Sequence, residues 1–483
     1  MKRGDLSGAE TLGGVRVPIV ARKRCNGRGA KGDRKVESVR DRPSQANRAT
    51  VPEKAKQAGE IRGRWPWVEA HVWTDRMLTA LELGVKGGRW FSLIDKVYDP
   101  RSLRSVYQQV KRNRGSAGVD HVTIAQFTDR LEQNLESLSA SLQDGSYRPQ
   151  AIRRVWIPKP GGREKRPLGI PTVRDRVVQG ALRNVLEPIF ERDFAAHSYG
   201  FRPSRSAKDA LRRVWELLQA GYVHVVDADL RSYYDTIPRQ GLMARIGEKV
   251  SDGRVLDLVA AFLEQEVMDG LEQWTPETGT PQGAVLSPLL SNIYLDPLDH
   301  RMAELGYEMV RYADDFVILC RSPREAERAL REVQEWMAVA RLQLHPEKTR
   351  IVDATQPGGF DFLGYHFERG YRWPSPKSLE KHKATVRQQT RRTNGSSLQE
   401  IVARINAVRR GWFEYFKHSH WTSFKPLDQW TRMRLRSILR RRQGKRGRGR
   451  GSDHPRWPNA FFAELGLFSY CAAYAQARQS SRR

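Results

Sequence analysis

Two adjacent carboxylates at the tip of an apolar hairpin constrain this chain more than any other feature. Tyr312-Ala-Asp-Asp315 lies between Tyr307-Glu-Met-Val-Arg311 and Phe316-Val-Ile-Leu-Cys320. Two β-prone runs of this kind predict a hairpin with its acids at the turn. Crowding like charges raises the pKa of each and costs free energy. A divalent cation removes that cost, and two Mg²⁺ ions held by carboxylates form an apparatus for nucleotidyl transfer. A surface hairpin with two aspartates at its turn satisfies the same string, so the reading depends on what surrounds it.

A two-metal polymerase needs a third carboxylate from another strand. Tyr222-Val-His-Val-Val-Asp-Ala-Asp229 is a β-rich run ending in acids, after which Leu230-Arg-Ser-Tyr-Tyr-Asp235 turns the chain away. Asp227 and Asp229 alternate and so share one face of that strand, and Asp229 is the candidate. Asp235, just before Ile237-Pro238, reads first as a structural cap. The chemistry would be in-line attack of a primer 3′-hydroxyl on an α-phosphate, with metals ~3.5–4 Å apart on the attacking and leaving oxygens. The protein would contribute positioning and charge.

Composition agrees with a polyanionic partner. The 483 residues carry a formal net charge of +29, far more than solubility needs, which points first to nucleic acid. The length predicts about three domains. No apolar run is long enough to span a bilayer, and no apolar segment follows Lys2-Arg3 as in a secretory signal. Cys25, Cys320 and Cys471 have no C-x-x-C spacing, which excludes a disulfide framework and fits a reducing cytoplasm.

Residues 1–64 hold 17 Lys/Arg against 7 Asp/Glu and no aromatic residue, a composition expected of a disordered basic leader. Order is expected from about Trp65. Helical spacing predicts helices within 65–150, then over 176–190, 208–219, 239–248, 253–268 and 283–305. Ser322-Pro-Arg-Glu325 is a capping box opening a helix to about Ala340. Strands are expected over 155–158, 348–352 and 360–367, and three helices over 376–442. The segment 442–451 is low-complexity, basic and expected to be flexible.

Seven motifs in order resemble the group II intron reverse transcriptases. They are Lys159-Pro-Gly-Gly-Arg-Glu-Lys-Arg166-Pro-Leu-Gly-Ile-Pro171, Ser198-Tyr-Gly-Phe-Arg202-Pro-Ser-Arg-Ser206, Asp229-Leu-Arg-Ser-Tyr-Tyr-Asp235 and Gly279-Thr-Pro-Gln282-Gly-Ala-Val-Leu-Ser-Pro288. Tyr312-Ala-Asp-Asp315, His345-Pro-Glu-Lys348-Thr and Phe362-Leu-Gly-Tyr365 complete the series. The resemblance implies an α+β right-hand polymerase with fingers and palm over 65–367, an α-helical thumb and maturase (X) domain over 368–442, and a basic DNA-binding tail over 443–483.

Carried over residue by residue, it implies metal binding by Asp229, Asp314 and Asp315, with the Leu230 carbonyl as a further ligand to two Mg²⁺ ions. It assigns Lys159 and Arg166 to the incoming triphosphate and Gln282 to the sugar and templating pair. Tyr234 falls where the family carries an aromatic gate against a 2′-hydroxyl, which selects deoxynucleotides.

Arg409-Arg-Gly-Trp412-Phe-Glu-Tyr415-Phe416 is similar to the maturase segment. Its aromatic stripe reads as core, and Arg409 and Arg410 as contacts to RNA. Between 431 and 450 stand ten Lys/Arg and no acid, a density that binds phosphates with strong salt dependence. Arg440, Arg441, Arg442, Lys445 and Arg446 are the candidates there.

Cysteine pairs of a His-Asn-His endonuclease are not found, so mobility would depend on a pre-existing 3′ end. The implied partners are intron RNA in a lariat ribonucleoprotein, template RNA, primer and target DNA and deoxynucleoside triphosphates, with no membrane. The competing readings are a reverse transcriptase recruited to a CRISPR-associated or other defence role, and a splicing factor without polymerase activity.

Overall fold

Alternating burial along the apolar runs sets the architecture. In the computed structural model, which describes residues 58–85, 87–158 and 165–480, eleven strands are seen among the described residues. They are β1 (Ile152–Pro158), β2 (Lys165–Ile170), β3 (His224–Asp229), β4 (Val267–Asp269), β5 (Glu272–Trp274), β6 (Glu308–Tyr312), β7 (Asp315–Cys320), β8 (Arg350–Asp353), β9 (Phe360–Phe362), β10 (Tyr365–Glu368) and β11 (Tyr371–Pro374). They form three sheets, in the orders β2-β1-β4-β5, β6-β7-β3-β8 and β11-β10-β9.

The second sheet is the centre. Val226 and Ala228 of β3, with Phe316 and Ile318 of β7, face a large core shared with the helices Val173–Glu191, Ser287–Glu304 and Pro323–Val339. Val225, Val317 and Leu319 face the other way, onto the Ala207–Gln219 helix and the β9–β11 sheet. A strand buried on both faces has no polar side to spare, which explains why β7 reads as an unbroken apolar run. The Pro323–Val339 helix starts where its capping box predicts, with the Ser322 side chain accepting from the Glu325 N–H.

The C-terminal layer packs the helices Pro376–Gln389, Leu398–Phe416, Phe424–Arg442 and Tyr470–Ser480 against one another. Phe413, Phe424, Leu427 and Tyr470 make one of its cores, and Trp412 packs against it.

Three expectations are corrected. The run over 360–367 is two strands, broken by a turn in which Leu363 and Gly364 have φ of +47° and +82°. The helix expected to 268 ends at Leu263, and 267–269 pairs as β4 beside β1. The segment 442–451 folds back on its preceding helix: Gly449 N–H donates to Ser437 Oγ (3.0 Å) and Arg440 Nε to the Arg446 carbonyl (2.8 Å). A short helix, Ala58–Arg64, precedes Trp65, and most of the expected leader lies outside the described residues. Among the described residues no helix is long and apolar enough to cross a membrane.

Candidate active site

Strand register brings the three predicted acids together. β6 and β7 pair as far as Tyr312 opposite Asp315, leaving Ala313 and Asp314 as a two-residue turn. On the other edge of β7, Asp315 lies directly opposite Asp229 of β3. Side chains opposite one another in an antiparallel pair share a face, their Cβ atoms ~4.5–5.5 Å apart. Asp227 lies on the same face of β3.

Burial and mutual repulsion dominate the electrostatics. Burial, followed by Asp227, Asp314 and Asp229, pushes the Asp315 carboxyl up to about 7. Burial, reinforced by Asp229, also raises Asp314. Asp227 is raised by burial, with the nearby Arg350 (3.4 Å) pulling it back. Lys348, from the His345-Pro-Glu-Lys-Thr motif, reaches Asp229 Oδ2 at 2.6 Å. Lys348, Arg350 and, on Asp314, Arg311 offset this group only in part, since Asp227, Asp314 and Asp315 all stay raised.

The donor set is all oxygen, which suits a hard divalent ion and not zinc. Among the described residues no three His, Cys, Asp or Glu side chains close into a metal cage. A magnesium site need not be one, since that ion keeps waters and takes substrate phosphates beside one or two carboxylates. The residues present fit such a group. In the stretch holding Leu230, the carbonyl of Asp229 accepts the His345 N–H (2.7 Å), while Leu230 bridges Leu344.

A support that the motifs did not reveal lies under the turn. Arg311 is fully buried and bonds Asp299 through Nε (2.7 Å) and Nη2, Asn292 Oδ1 (2.9 Å) and the Ala313 carbonyl (2.8 Å). Asn292 Nδ2 in turn donates to the Gly200 carbonyl (2.8 Å). Ser198 bridges Arg311 in parallel, so the Ser198-Tyr-Gly-Phe-Arg202 motif runs along the outer edge of β6. The one cue in the sequence is an arginine within the last two residues of an apolar strand.

Tyr234 and Gln282 both line a cavity of about 310 Å³ with Arg154, Arg239, Gln265 and Trp274. None of the three acids lines it. Thr280 N–H donates to the Tyr234 carbonyl (2.7 Å) and Gly279 N–H to the Ile237 carbonyl (2.8 Å), tying the two motifs together. Tyr233 is buried, its hydroxyl on the Ser291 carbonyl (2.7 Å). Arg166 is exposed on β2, opposite Ile157. β2 is linked to Gln282 at its far end, where Gly169 N–H meets the Gln282 carbonyl (2.6 Å). Lys159 lies outside the described residues.

The basic candidates divide. Arg410, Arg441, Arg442, Lys445 and Arg446 are exposed. Arg409 is not available to RNA. It is wholly buried, donating to Asp428 (2.5 Å) and the Phe468 carbonyl (2.8 Å) and lying over the Tyr470 ring. Arg440 is held by Asp453 (3.0 Å) and keeps only about a fifth of its side chain in solvent.

Residues 157–367 match the family model for reverse transcriptase (RNA-dependent DNA polymerase), and 379–456 match that for the group II intron, maturase-specific domain. Protein YkfC of Escherichia coli (strain K12) is 35% identical over 292 residues, 52% of this chain and 76% of that protein. Group II intron-encoded protein LtrA of Lactococcus lactis is 30% identical over 326 residues, 54% of this chain. The chain spans 53% of the length of LtrA. A chain in a solved partial Cas6-RT-Cas1--Cas2 complex is 23% identical with a TM-score of 0.33, covering 53% of this chain and 45% of that one. That likeness is too slight to bear on function.

Proposed function

Since the chain belongs to the family of group II intron-encoded reverse transcriptases and maturases, we propose that it copies RNA into DNA and also binds and helps to splice an intron RNA. The observation that carries the reading is the register of β3 against β7, with Asp229 opposite Asp315 and Asp314 in the adjoining turn.

In this reading Asp229, Asp314 and Asp315, with the Leu230 carbonyl, hold two Mg²⁺ ions. When bound, divalent ions there would offset the charge on the attacking and leaving oxygens of nucleotidyl transfer. The chain's own residues do the rest. Lys348 holds the Asp229 carboxylate where it would serve as a ligand. The Arg311 hub keeps the turn from moving as charge accumulates on it. Tyr234 and Gln282 bound the deoxyribose, while Arg166 and Lys159 take the triphosphate. The segment 65–367 serves as fingers and palm. The helices from Pro376 onward serve as thumb and maturase surface, and the exposed cations Arg410, Arg441, Arg442, Lys445 and Arg446 contact nucleic acid. The partners are intron RNA, an RNA template with a DNA primer, target DNA and deoxynucleoside triphosphates.

Asp314→Ala tests both halves. It is expected to abolish Mg²⁺-dependent cDNA synthesis on a primed RNA template while leaving protein-assisted splicing of the parent intron intact. Undiminished polymerisation would sink the metal assignment. Loss of both activities in a folded variant would instead show that the two functions share the site.

A further inference from the structure

A second pocket, distinct from the acidic centre, combines cations with aromatic walls. It is a cavity of about 160 Å³ between the Ala207–Gln219 helix, the β10–β11 hairpin and the end of the Leu398–Phe416 helix. Lys208, Arg212 and Trp215 line it from the first helix, Tyr365 and Arg372 from the hairpin, and Tyr415 from the last. The helical residues fall at i, i+4 and i+7, so one face of that helix is turned to the cavity. Arg372 lies opposite Phe367 across the hairpin, which puts both on the face that carries Tyr365.

Arg372 is the unusual member. Its guanidinium lies 4.3 Å over the Trp215 ring and Nε donates to the His418 carbonyl (2.8 Å). Burial lowers its pKa, and no carboxylate acts against that. Arg372, Lys417, Lys208 and Arg212 together bear on the neighbouring His418 ring, which they push down after burial does. Two of these cations have carboxylate partners, Asp209 for Arg212 and Glu414 for Lys417, each at 3.0 Å. A half-buried cation with no counter-ion is costly, and an anion entering beside it would remove that cost.

The walls restrict which anion fits. A cavity of ~150 Å³ accommodates benzene, so this one has room for a single ring system. A flat ring carrying an anionic group is the chemistry of a nucleotide. Bases in a duplex are already stacked, whereas unpaired bases stack on aromatic side chains and guanidinium planes.

We propose that this pocket takes one unpaired nucleotide of a single-stranded nucleic acid, its phosphate beside Arg372 with Lys208 and Arg212 at the rim, and its base against the aromatic wall of Tyr415 and Trp215. The proposal does not rest on polymerase chemistry.

Fluorescence anisotropy with the full chain, using a short labelled single strand of RNA, the same strand in DNA and a blunt duplex, tests it. The double variant Lys208→Glu/Arg212→Glu changes exposed residues and should leave thermal unfolding unchanged. It is expected to weaken single-strand binding by at least about tenfold while duplex binding changes less than about twofold, and to lower the log–log salt slope by ~1.4. A strand bearing 4-thiouridine should crosslink to the peptides holding Trp215 or Tyr415. A preference for RNA or for DNA would identify the source of the nucleotide. Equal losses for single strand and duplex would overturn the proposal, as would crosslinks confined to other peptides or no loss at all.

Discussion

Asp315 shows how a single side chain couples the site to pH. Its folded-state pKa of about 7 stands above the ordinary 3.8, so the folded protein keeps a proton that the unfolded chain has released. The resulting stability is whole below the ordinary value and is lost as pH rises toward 7. Asp315→Asn, which stays neutral, should therefore raise the thermal midpoint of the metal-free protein at pH 8 by about 2–4 °C and leave it unchanged near pH 4. Equal shifts at both values would show that the carboxyl is not buried among like charges. A divalent ion favours the ionised form, so its binding below pH 7 should release a proton. Calorimetry in buffers of different ionisation heat would detect that release, and the Asn variant should lose it.

The hairpin turn holds a local conflict that its neighbours must settle. Ala313 has φ of +61°, a left-handed conformation that costs an L-residue with a side chain ~1–2 kcal/mol. The Arg311 guanidinium on its carbonyl and the backbone of Gly200 beneath it keep it there. A Cβ on Gly200 would meet the Ala313 nitrogen and stand 2.8 Å from the Tyr312 carbonyl carbon, so the turn would have to move. Gly200→Ala should thus lower polymerisation ~100-fold, the scale expected for an ångström of misplacement, with circular dichroism unchanged. A fully active variant would mean that the turn tolerates the shift. The strands over 222–229 and 307–320 and the candidacy of Asp229 are legible in the sequence, because alternation and an apolar run mark them, whereas the register that sets Asp229 opposite Asp315 is not. The floor is not legible in the same way, since Gly200, the helix residues Asn292 and Asp299, and Arg311 come from three separate stretches that only tertiary packing joins. The break at Leu363-Gly364 is an intermediate case: the glycine marks it, but the apolar pattern on either side reads as one strand.

Charge density and charge placement separate only when the whole molecule is considered. A surplus of +29 points to a polyanion without saying which cations face it, and the C-terminal layer draws on the same residue types for its interior. Arg409 joins the Leu398–Phe416 helix to Asp428 in the next one, and Asp428 also accepts from the Ser469 hydroxyl (2.9 Å) and the Tyr470 and Cys471 N–H groups (3.1 Å each). One buried carboxylate therefore ties three helices, and Arg409 is its counter-ion. Removing one partner of such a pair leaves an uncompensated buried charge at a cost of ~3–5 kcal/mol. Arg441, Lys445 and Arg446 are exposed and should behave in the opposite way. Their triple change to alanine should leave the thermal midpoint within about a degree, since surface substitutions are nearly neutral. It should flatten the salt dependence of single-strand RNA binding by ~2.1 in log–log slope. Arg409→Ala should lower the midpoint sharply and lose RNA binding only through unfolding, with affinity per folded molecule unchanged. If Arg409→Ala instead weakened binding at constant stability, the buried pair would be opening to admit RNA, and the division between interior and exposed cations would fail.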